Sequence, residues 1–227
     1  MKSTLARRQR GVPLAFAVLV ALIAGLFTFT TQRGSAHAES DTVGLPTASQ
    51  VAFHDQMRKL WEDHVTWTRL AIVTFAAGSA GFNASATRLL QNQIDIGNEF
   101  AQFYGTTDGQ KLASLLTSHI MIAVQILQDA KSGDTTALAT DEASWYDNAN
   151  QIADFLSSLN PRFWPDDVMR EAMKEHLDQT LAEAQDELSG NYSASVTDYE
   201  AIHLHILAMA DLLSSGIMGQ FSNDFEQ

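Results

Sequence analysis

Three histidines recur with the same spacing to a following glycine, which lies fourteen residues later in each case. The pairs are His64 with Gly78, His119 with Gly133, and His176 with Gly190. A neutral imidazole offers one hydrogen-bond donor and one lone pair, and it is also a good ligand for Zn²⁺ or Cu²⁺. The constant spacing predicts three related units, each contributing one such side chain.

A second set of polar residues follows the same repeat. Asn92, Asn148 and His205 each lie four residues before an Ile or Met in similar stretches of sequence. Each unit is therefore expected to place one imidazole and one Asn or His on inward helix faces. Burying these groups costs a few kcal/mol apiece, about 1 to 3, unless each finds a partner. The pattern predicts that they pair within each unit.

Two interpretations of this polar set are open. In the first, it is a hydrogen-bonded layer that fixes the register of the helices. In the second, the units converge on a site for Zn²⁺ or Cu²⁺, although the Asn side chains are poor ligands for such metals. The metal ligands, in a metal-binding protein or a metal-dependent enzyme, would then be His64, His119, His176 and His205.

A small-molecule pocket is a further possibility, because Trp61 and Trp67 flank His64 and could line it. Aromatic residues at helical spacing also suit a hydrophobic core, so this alternative stays open. The candidate ligand-binding residues are His64, Trp67, Asn92, His119, Asn148, His176 and His205.

The elements that must position these residues are helices. Apolar residues recur at steps of three and four throughout, and no segment alternates apolar and polar residues as a strand would. The predicted fold is all-α, a six-helix bundle of three helical-hairpin repeats over residues 51–219, with an N-terminal signal or anchor helix before it. Breaks are expected near Gly78, Gly105, Gly133, Asn160 to Pro165, and Gly190. Helix caps are expected from Asn83 or Ser85, from a Thr107–Gln110 capping box, and from Asp134.

The N-terminus has the pattern of an export signal. Four basic residues precede an uncharged run over residues 11–32, and Ala36-His37-Ala38 offers a cleavage site. Residues 1–38 are therefore interpreted as a signal peptide or, if uncleaved, as an anchor that crosses the membrane through residues 11–32. Residues 39–50 are interpreted as a linker and 220–227 as a frayed tail, which makes the domain extracytoplasmic, either anchored or secreted.

Composition excludes several classes of function. All 27 acidic residues but only nine of the 14 basic ones follow Ala38, so the exported part carries a net charge near −18 and should not bind nucleic acid. The chain has no cysteine, which excludes disulfides, thiolate metal sites and cysteine nucleophiles. No serine-nucleophile or phosphate-binding motif is present. These features favour binding of a small ligand or a protein partner over catalysis.

Three motifs carry a resemblance to a group of bacterial exported or membrane-anchored helical proteins with no established activity. They are Trp61-Glu-Asp-His-Val-Thr-Trp-Thr-Arg69, Asn92-Gln-Ile-Asp-Ile-Gly-Asn98 and Trp145-Tyr-Asp-Asn-Ala-Asn150. The likeness covers about residues 58–217. It implies that the His and Asn positions matter, without supplying a chemistry for them.

Overall fold

The computed structural model describes residues 45–226, in which all regular structure is helical. The six α-helices are α1 (Ala48–Ala76), α2 (Phe82–Tyr104), α3 (Thr106–Ser132), α4 (Thr135–Leu159), α5 (Asp166–Ser189) and α6 (Tyr192–Gln220). No strand occurs within residues 45–226, so the prediction of an all-α fold of six packed helices is confirmed. The segment interpreted as a signal or anchor, residues 1–38, lies outside the described residues.

The helices end where the sequence predicted. Gly133 and Gly190 close α3 and α5 in the left-handed conformation, with φ of 77° and 79°. Residues with a Cβ rarely adopt this conformation, which explains why glycine stands there. Between α4 and α5 the chain turns over Asn160 to Pro165, and Pro165 caps α5. All five expected breaks are confirmed.

The helix starts were predicted less well. Asp134 accepts hydrogen bonds from the amides of Thr136 and Ala137, as expected of the α4 cap. The other two caps are wrong: α2 begins after Gly81 and α3 after Gly105, and neither has a side-chain cap. Glycine there leaves the helix starts without a side-chain acceptor, so neither the Asn83 or Ser85 cap nor the Thr107–Gln110 capping box forms.

The first helix starts earlier than the expected domain boundary. Thr47 and Gln50 form a reciprocal capping box, and α1 begins at Ala48. Residues 48–50, assigned from sequence to the linker, are therefore helical. The Thr-x-x-Gln pattern at residues 47–50 is the signal that sequence reasoning overlooked.

The helices form a closed ring in sequence order. Each packs against the next, and α6 packs against α1, while α1, α3 and α5 also approach one another in the centre. The crossing of α2 and α3 is very close: a Cβ on Gly97 would lie 2.5 Å from the carbonyl oxygen of Gly109. The ring thus places the three odd-numbered helices, which carry the three recurring histidines, around one axis.

The C-terminus is anchored, contrary to the expected frayed tail. A 3₁₀ helix over Ser222–Phe225 follows α6, and the Phe225 ring packs against Phe53 and Phe103 at centroid distances of 5.2 and 5.5 Å. The Thr47 hydroxyl donates to the Phe225 carbonyl at 2.7 Å. Burial of the Phe225 ring contributes more free energy than the ordering of a short tail costs in entropy. The segment has no apolar periodicity, so its anchoring left no sign in the sequence.

Two of the helices, α3 and α6, are long and apolar enough to cross a membrane by length and composition. Both pack within the bundle, and 39% and 44% of their most apolar windows are buried there. Core helices of soluble proteins meet the same criterion, so this property is weak evidence for a membrane location.

Candidate functional site

Helices α1, α3 and α5 bring His64, His119 and His176 to the wall of one cavity of about 50 Å³. The three residues are 4%, 3% and 5% exposed. The centroids of the His64 and His176 rings are 5.8 Å apart. Convergence follows from the ring architecture, because only the odd-numbered helices meet at the centre.

The rest of the cavity wall is almost wholly apolar. Its other residues are Thr68, Ala71, Ile72, Leu89, Ile120, Ala123, Val124, Ile126, Leu127, Trp145, Thr180, Leu181 and Ala184. The two threonine hydroxyls are already used, because Thr68 donates to the His64 carbonyl at 2.8 Å and Thr180 to the His176 carbonyl at 2.7 Å. The imidazoles are therefore the main polar groups that the cavity can offer.

The tautomer of His119 follows from its contact with Asn148. The Asn148 amide nitrogen donates to the Leu115 carbonyl at 3.2 Å, which turns its oxygen toward His119 Nδ1 at 2.8 Å. An amide oxygen only accepts, so Nδ1 carries the proton and Nε2 bears a lone pair. That Nε2 atom is buried and has no hydrogen-bond partner.

His64 has the opposite tautomer. Its Nδ1 lies 3.3 Å from the amide nitrogen of Gln93, which is also 2.8 Å from the Leu89 carbonyl oxygen and 3.3 Å from Asn92 Oδ1. An amide nitrogen only donates, so in this contact His64 Nδ1 accepts and the proton sits on Nε2, with two Gln93 hydrogens shared among three acceptors. Gln93 is completely buried, and sequence reasoning missed it in favour of the adjacent Asn92.

His176 and His205 stack without pairing. Their ring centroids are 6.2 Å apart at an interplanar angle of 15°, and His176 Nδ1 has no hydrogen-bond partner. His205 Nε2 donates to the Ala172 carbonyl at 2.9 Å, while its Nδ1 lies 3.6 Å from Glu175. The predicted pairing within each unit is thus met directly by His119 with Asn148, but by neither of the other two pairs.

The second-column residues share a different contact. Asn92 donates to the Leu60 carbonyl at 3.0 Å, just as Asn148 donates to Leu115 and His205 to Ala172. Each acceptor lies four residues before the recurring histidine of the same unit. These side chains therefore tie neighbouring helices together at equivalent positions.

Burial keeps the cavity imidazoles neutral. Loss of hydration lowers the pKa of His64 from 6.5 to about 3 and that of His119 from 6.5 to about 4. The pKa of His176 is also far below its usual value, because of burial first and then repulsion from the neighbouring imidazoles. At neutral pH each ring is one donor and one acceptor with no charge.

The cavity adjoins a larger opening, which we call the vestibule. It has a volume of about 520 Å³ and lies where α1, α3 and α5 end and α4 begins. It shares Ile126, Leu127, Leu181 and Ala184 with the cavity and is otherwise lined by Ala76, Ala130, Lys131, Leu138, Glu142, Gln185, Leu188 and Ser189. The cavity and the vestibule are therefore neighbours that share part of their walls.

Four of the seven residues predicted to bind ligand lie elsewhere. Asn92, Asn148 and His205 are outside the cavity wall and make the backbone contacts described above. Trp67 packs with the buried cluster of Ala71, Leu89 and Ile120, and Arg88 lies over its ring at 5.7 Å. The cavity instead uses Trp145, which stacks on His119 at 4.8 Å.

A buried charged network beside the cavity was not predicted. Arg69, next to Thr68 in sequence, contacts Glu183 at 2.8 Å and Glu187 at 3.5 Å, and it also bonds Ser195. Glu183 and Glu187 are only 1% and 7% exposed. Burial outweighs the Arg69 contact and raises the pKa of Glu183 to about 7.

The arrangement does not form a ready metal site. Among residues 45–226 no group of three or more His, Asp or Glu side chains is placed to hold a metal ion. Three of the four proposed ligands already use one ring nitrogen, His64 toward Gln93, His119 toward Asn148 and His205 toward Ala172.

Comparison of the chain with protein-family models, curated proteins and solved structures gives no match, so a functional assignment rests on the geometry of the cavity.

Proposed function

We propose that the helical domain is an extracytoplasmic binding module that takes a small molecule into the histidine-lined cavity from the vestibule. The carrying observation is that three buried, neutral imidazoles border one small apolar cavity, and that His119 Nε2 and His176 Nδ1 have no hydrogen-bond partner in the protein. An unpaired buried polar atom costs roughly 1–3 kcal/mol. A purely structural polar layer would gain by pairing them, so their lack of partners supports a role other than structure.

The dimensions limit the ligand. A single water molecule needs a cavity volume of roughly 10–15 Å³. The cavity of about 50 Å³ therefore accommodates only a small polar group and its nearest atoms. The 520 Å³ vestibule provides space for the remainder of a larger molecule. The ligand is therefore narrow at the end that meets the histidines.

The N-terminal sequence supports an extracytoplasmic location, with the membrane as partner through residues 11–32 if the signal is uncleaved. The vestibule opens near Ala76, and Ala48 lies at the other end of the same 29-residue helix, about 40 Å away. The acidic charge of the exported part argues against nucleic acid as a partner. These placements make a ligand from outside the cytoplasm the natural occupant.

We also propose that the six helices are three equivalent hairpins. The support is the shared contact from Asn92, Asn148 and His205 to the carbonyl four residues before each recurring histidine. The first two hairpins also pack closely on each other, at the α2–α3 crossing of Gly97 and Gly109.

Equivalence of the hairpins predicts that His205→Asn is mild. The new amide can donate to the Ala172 carbonyl as Asn148 does to Leu115, so the free energy of unfolding should fall by about 1 kcal/mol or less. His205→Leu removes the donor and is the matched control, with an expected loss of about 1–2 kcal/mol. Urea denaturation of both variants tests this, and equal losses for Asn and Leu would contradict the equivalence.

The metal alternative, Zn²⁺ or Cu²⁺ on His64, His119, His176 and His205, has less support because no group of three or more metal-binding side chains among residues 45–226 is placed to hold an ion. It is nonetheless separable from binding of an organic molecule by a single measurement. Imidazole binds metal through a nitrogen that bears a lone pair. His119 Nε2 is such an atom, whereas His205 Nε2 is held by the Ala172 carbonyl, so His205 could bind a metal only through Nδ1.

Native mass spectrometry with elemental analysis of the full-length protein, extracted from its own cell envelope without denaturation, tests the proposal. We expect an organic adduct on the wild type that is lost in His119→Phe, with no stoichiometric metal. The control is His203→Phe, because His203 lies toward the surface against Glu62 and outside the cavity. Stoichiometric Zn or Cu would favour the metal alternative, and an adduct equally present in both variants would place binding elsewhere.

A further inference from the structure

We infer that the part of the ligand that lies in the vestibule carries a positive charge, and that the carboxylate of Glu142 binds it. The inference rests on the proposed binding function and names the chemical class of the ligand, an organic cation with an apolar portion. It follows from the side chains of the vestibule wall, from the helix ends around it, and from the acidic residues beside it.

Glu142 is the only acidic residue among the described residues that line the vestibule. It lies on α4 and is partly buried. Within residues 45–226 its carboxylate makes no hydrogen bond or ion pair with another side chain. An ionised group beside apolar side chains gains free energy from a partner of opposite charge, so a cationic group that enters the vestibule finds one here.

The vestibule also contains a cation, but its charge is already used. Lys131 Nζ donates to the carbonyls of Phe75 and Ala76 at 2.7 and 3.2 Å and lies 4.8 Å from the centre of the Phe75 ring. The ammonium group thus satisfies carbonyls at the end of α1 and leaves Glu142 unpaired. The described wall has no other Lys or Arg, so an anionic ligand has no free cation to bind.

Three helices end at the vestibule. Its wall includes Ala76, Lys131 and Ser189, which belong to the last turns of α1, α3 and α5. The C-terminal end of a helix carries a partial negative charge of about half an elementary charge, which attracts cations within the last turn. Helix α4 begins here and presents the opposite end, but the Asp134 carboxylate already caps it. The helix ends therefore favour a positive group over a negative one.

Further carboxyl groups lie next to the wall. Asp129 and Asp141 precede the wall residues Ala130 and Glu142, and their side chains interact with each other. Loss of hydration and the adjacent Asp141 carboxyl raise the pKa of Asp129, and its Oδ2 atom has no hydrogen-bond partner. Negative charge is therefore in excess around the vestibule. The net charge of the exported part, near −18, attracts cations to the same surface.

The cation is organic and not a bare metal ion. Ca²⁺ and Mg²⁺ take six or more oxygen ligands, and no group of three or more metal-binding side chains occurs within residues 45–226. The vestibule, at about 520 Å³, has room for a molecule of several carbon atoms. Its wall also includes Ile126, Leu127 and Leu181, which suit a hydrocarbon portion. An ammonium or guanidinium group on an apolar body meets both requirements.

The test compares three six-carbon probes that differ at one end: hexylammonium, 1-hexanol and hexanoate. Affinities are measured by calorimetry at pH 7.5 and low ionic strength on the full chain, with wild type, Glu142→Gln and the control Glu200→Gln. Glu200 is exposed on α6 and lies outside the vestibule wall. We expect hexylammonium to bind about fivefold more tightly than 1-hexanol, as one partly exposed ion pair allows, and hexanoate to bind most weakly. The preference should vanish in Glu142→Gln and persist in Glu200→Gln.

A charge reversal and a measurement on the wild type complete the test. Glu142→Lys should prefer hexanoate to hexylammonium, because the wall then offers a free cation. In NMR spectra of the wild type, hexylammonium should shift the amide resonances of Ala76, Glu142 and Ser189. Shifts confined to other parts of the chain would overturn the assignment of the site.

The outcomes separate the two proposals. Equal affinities for the three probes, with resonance shifts at the vestibule, would refute the positive charge while leaving a binding site. Tighter binding of hexanoate to the wild type would refute it in the same way. A cation preference that survives in Glu142→Gln would mean that the acidic surface as a whole attracts cations, and Glu142 would lose its role. Failure of all three probes to bind, in a protein that also carries no native adduct, would reject the binding function itself.

Discussion

Lowering the pH from 7 to 5 is expected to destabilise the domain by several kcal/mol. His64 and His119 have pKa values lowered from 6.5 to about 3 and 4 by burial, and that of His176 is lowered as well. In the unfolded chain these imidazoles take up protons below pH 6.5, while in the folded state they stay neutral. The unfolded state therefore binds more protons, and stability falls as the pH falls from about 6.5 toward 4.

The magnitude is large because the three groups act together. Each imidazole that stays neutral in the folded state lowers the free energy of unfolding at pH 5 by roughly 2 kcal/mol relative to pH 8. This is on the order of a third of the total stability of a marginally stable domain. Glu183 acts in the opposite direction: its pKa is raised to about 7, so it takes up a proton in the folded state first and gains stability as the pH falls through that value. It offsets about one of the three histidines.

Urea denaturation at pH 7.5, 6, 5 and 4.5 measures this effect. In His64→Gln one buried imidazole is lost, so the slope of stability against pH should decrease by about 1.2 kcal/mol per pH unit between pH 5 and 6. His203→Gln, an imidazole outside the cavity, reports the non-specific effect of losing a histidine. A free energy of unfolding that is the same at pH 7.5 and 5 would show that the cavity histidines are accessible to protons in the folded state.

The helices and their ends were predictable because they depend on local chemistry. The three- and four-residue apolar period, Gly133, Gly190 and Pro165 act within one helix or one turn, so they are visible in the sequence. The helix starts at Gly81 and Gly105 were not predictable, because a glycine at the cap position has no polar side chain that would mark it in the sequence. Tail anchoring by Phe225 depends on distant partners and was equally hidden.

The candidate site was half predictable. The fourteen-residue spacing identified His64, His119 and His176, but their convergence required knowing that α1, α3 and α5 meet in the centre. Gln93 lies one residue from the predicted Asn92, a difference of about 100° around the helix, which exceeds what periodicity can resolve in a short stretch. Residues that join three helices leave no pattern in any one of them.

The network of Arg69, Glu183 and Glu187 joins several helices and left no pattern in the sequence. Its disruption by Arg69→Met is expected to reduce the free energy of unfolding by about 3–5 kcal/mol at pH 7.5. The methionine fills part of the space but leaves two carboxylates, which are 1% and 7% exposed, without their cation. An uncompensated buried charge costs far more than the ion pair itself contributes. Urea denaturation measures the loss, and it should be smaller at pH 6, where Glu183 is protonated more readily.

A matched control distinguishes the effect of burying the charges from the effect of breaking an ion pair. Arg58 contacts Asp211 through two nitrogens at 2.7 and 2.8 Å, but the two side chains are 41% and 39% exposed. Water solvates both ions, so Arg58→Met should cost about 1 kcal/mol or less. The double variant Arg69→Met with Glu183→Gln should recover part of the stability that Arg69→Met loses, because it removes one of the stranded charges. Similar losses for Arg58→Met and Arg69→Met would mean that the inner carboxylates are reached by water, and the apolar character assigned to the neighbouring cavity would then be wrong.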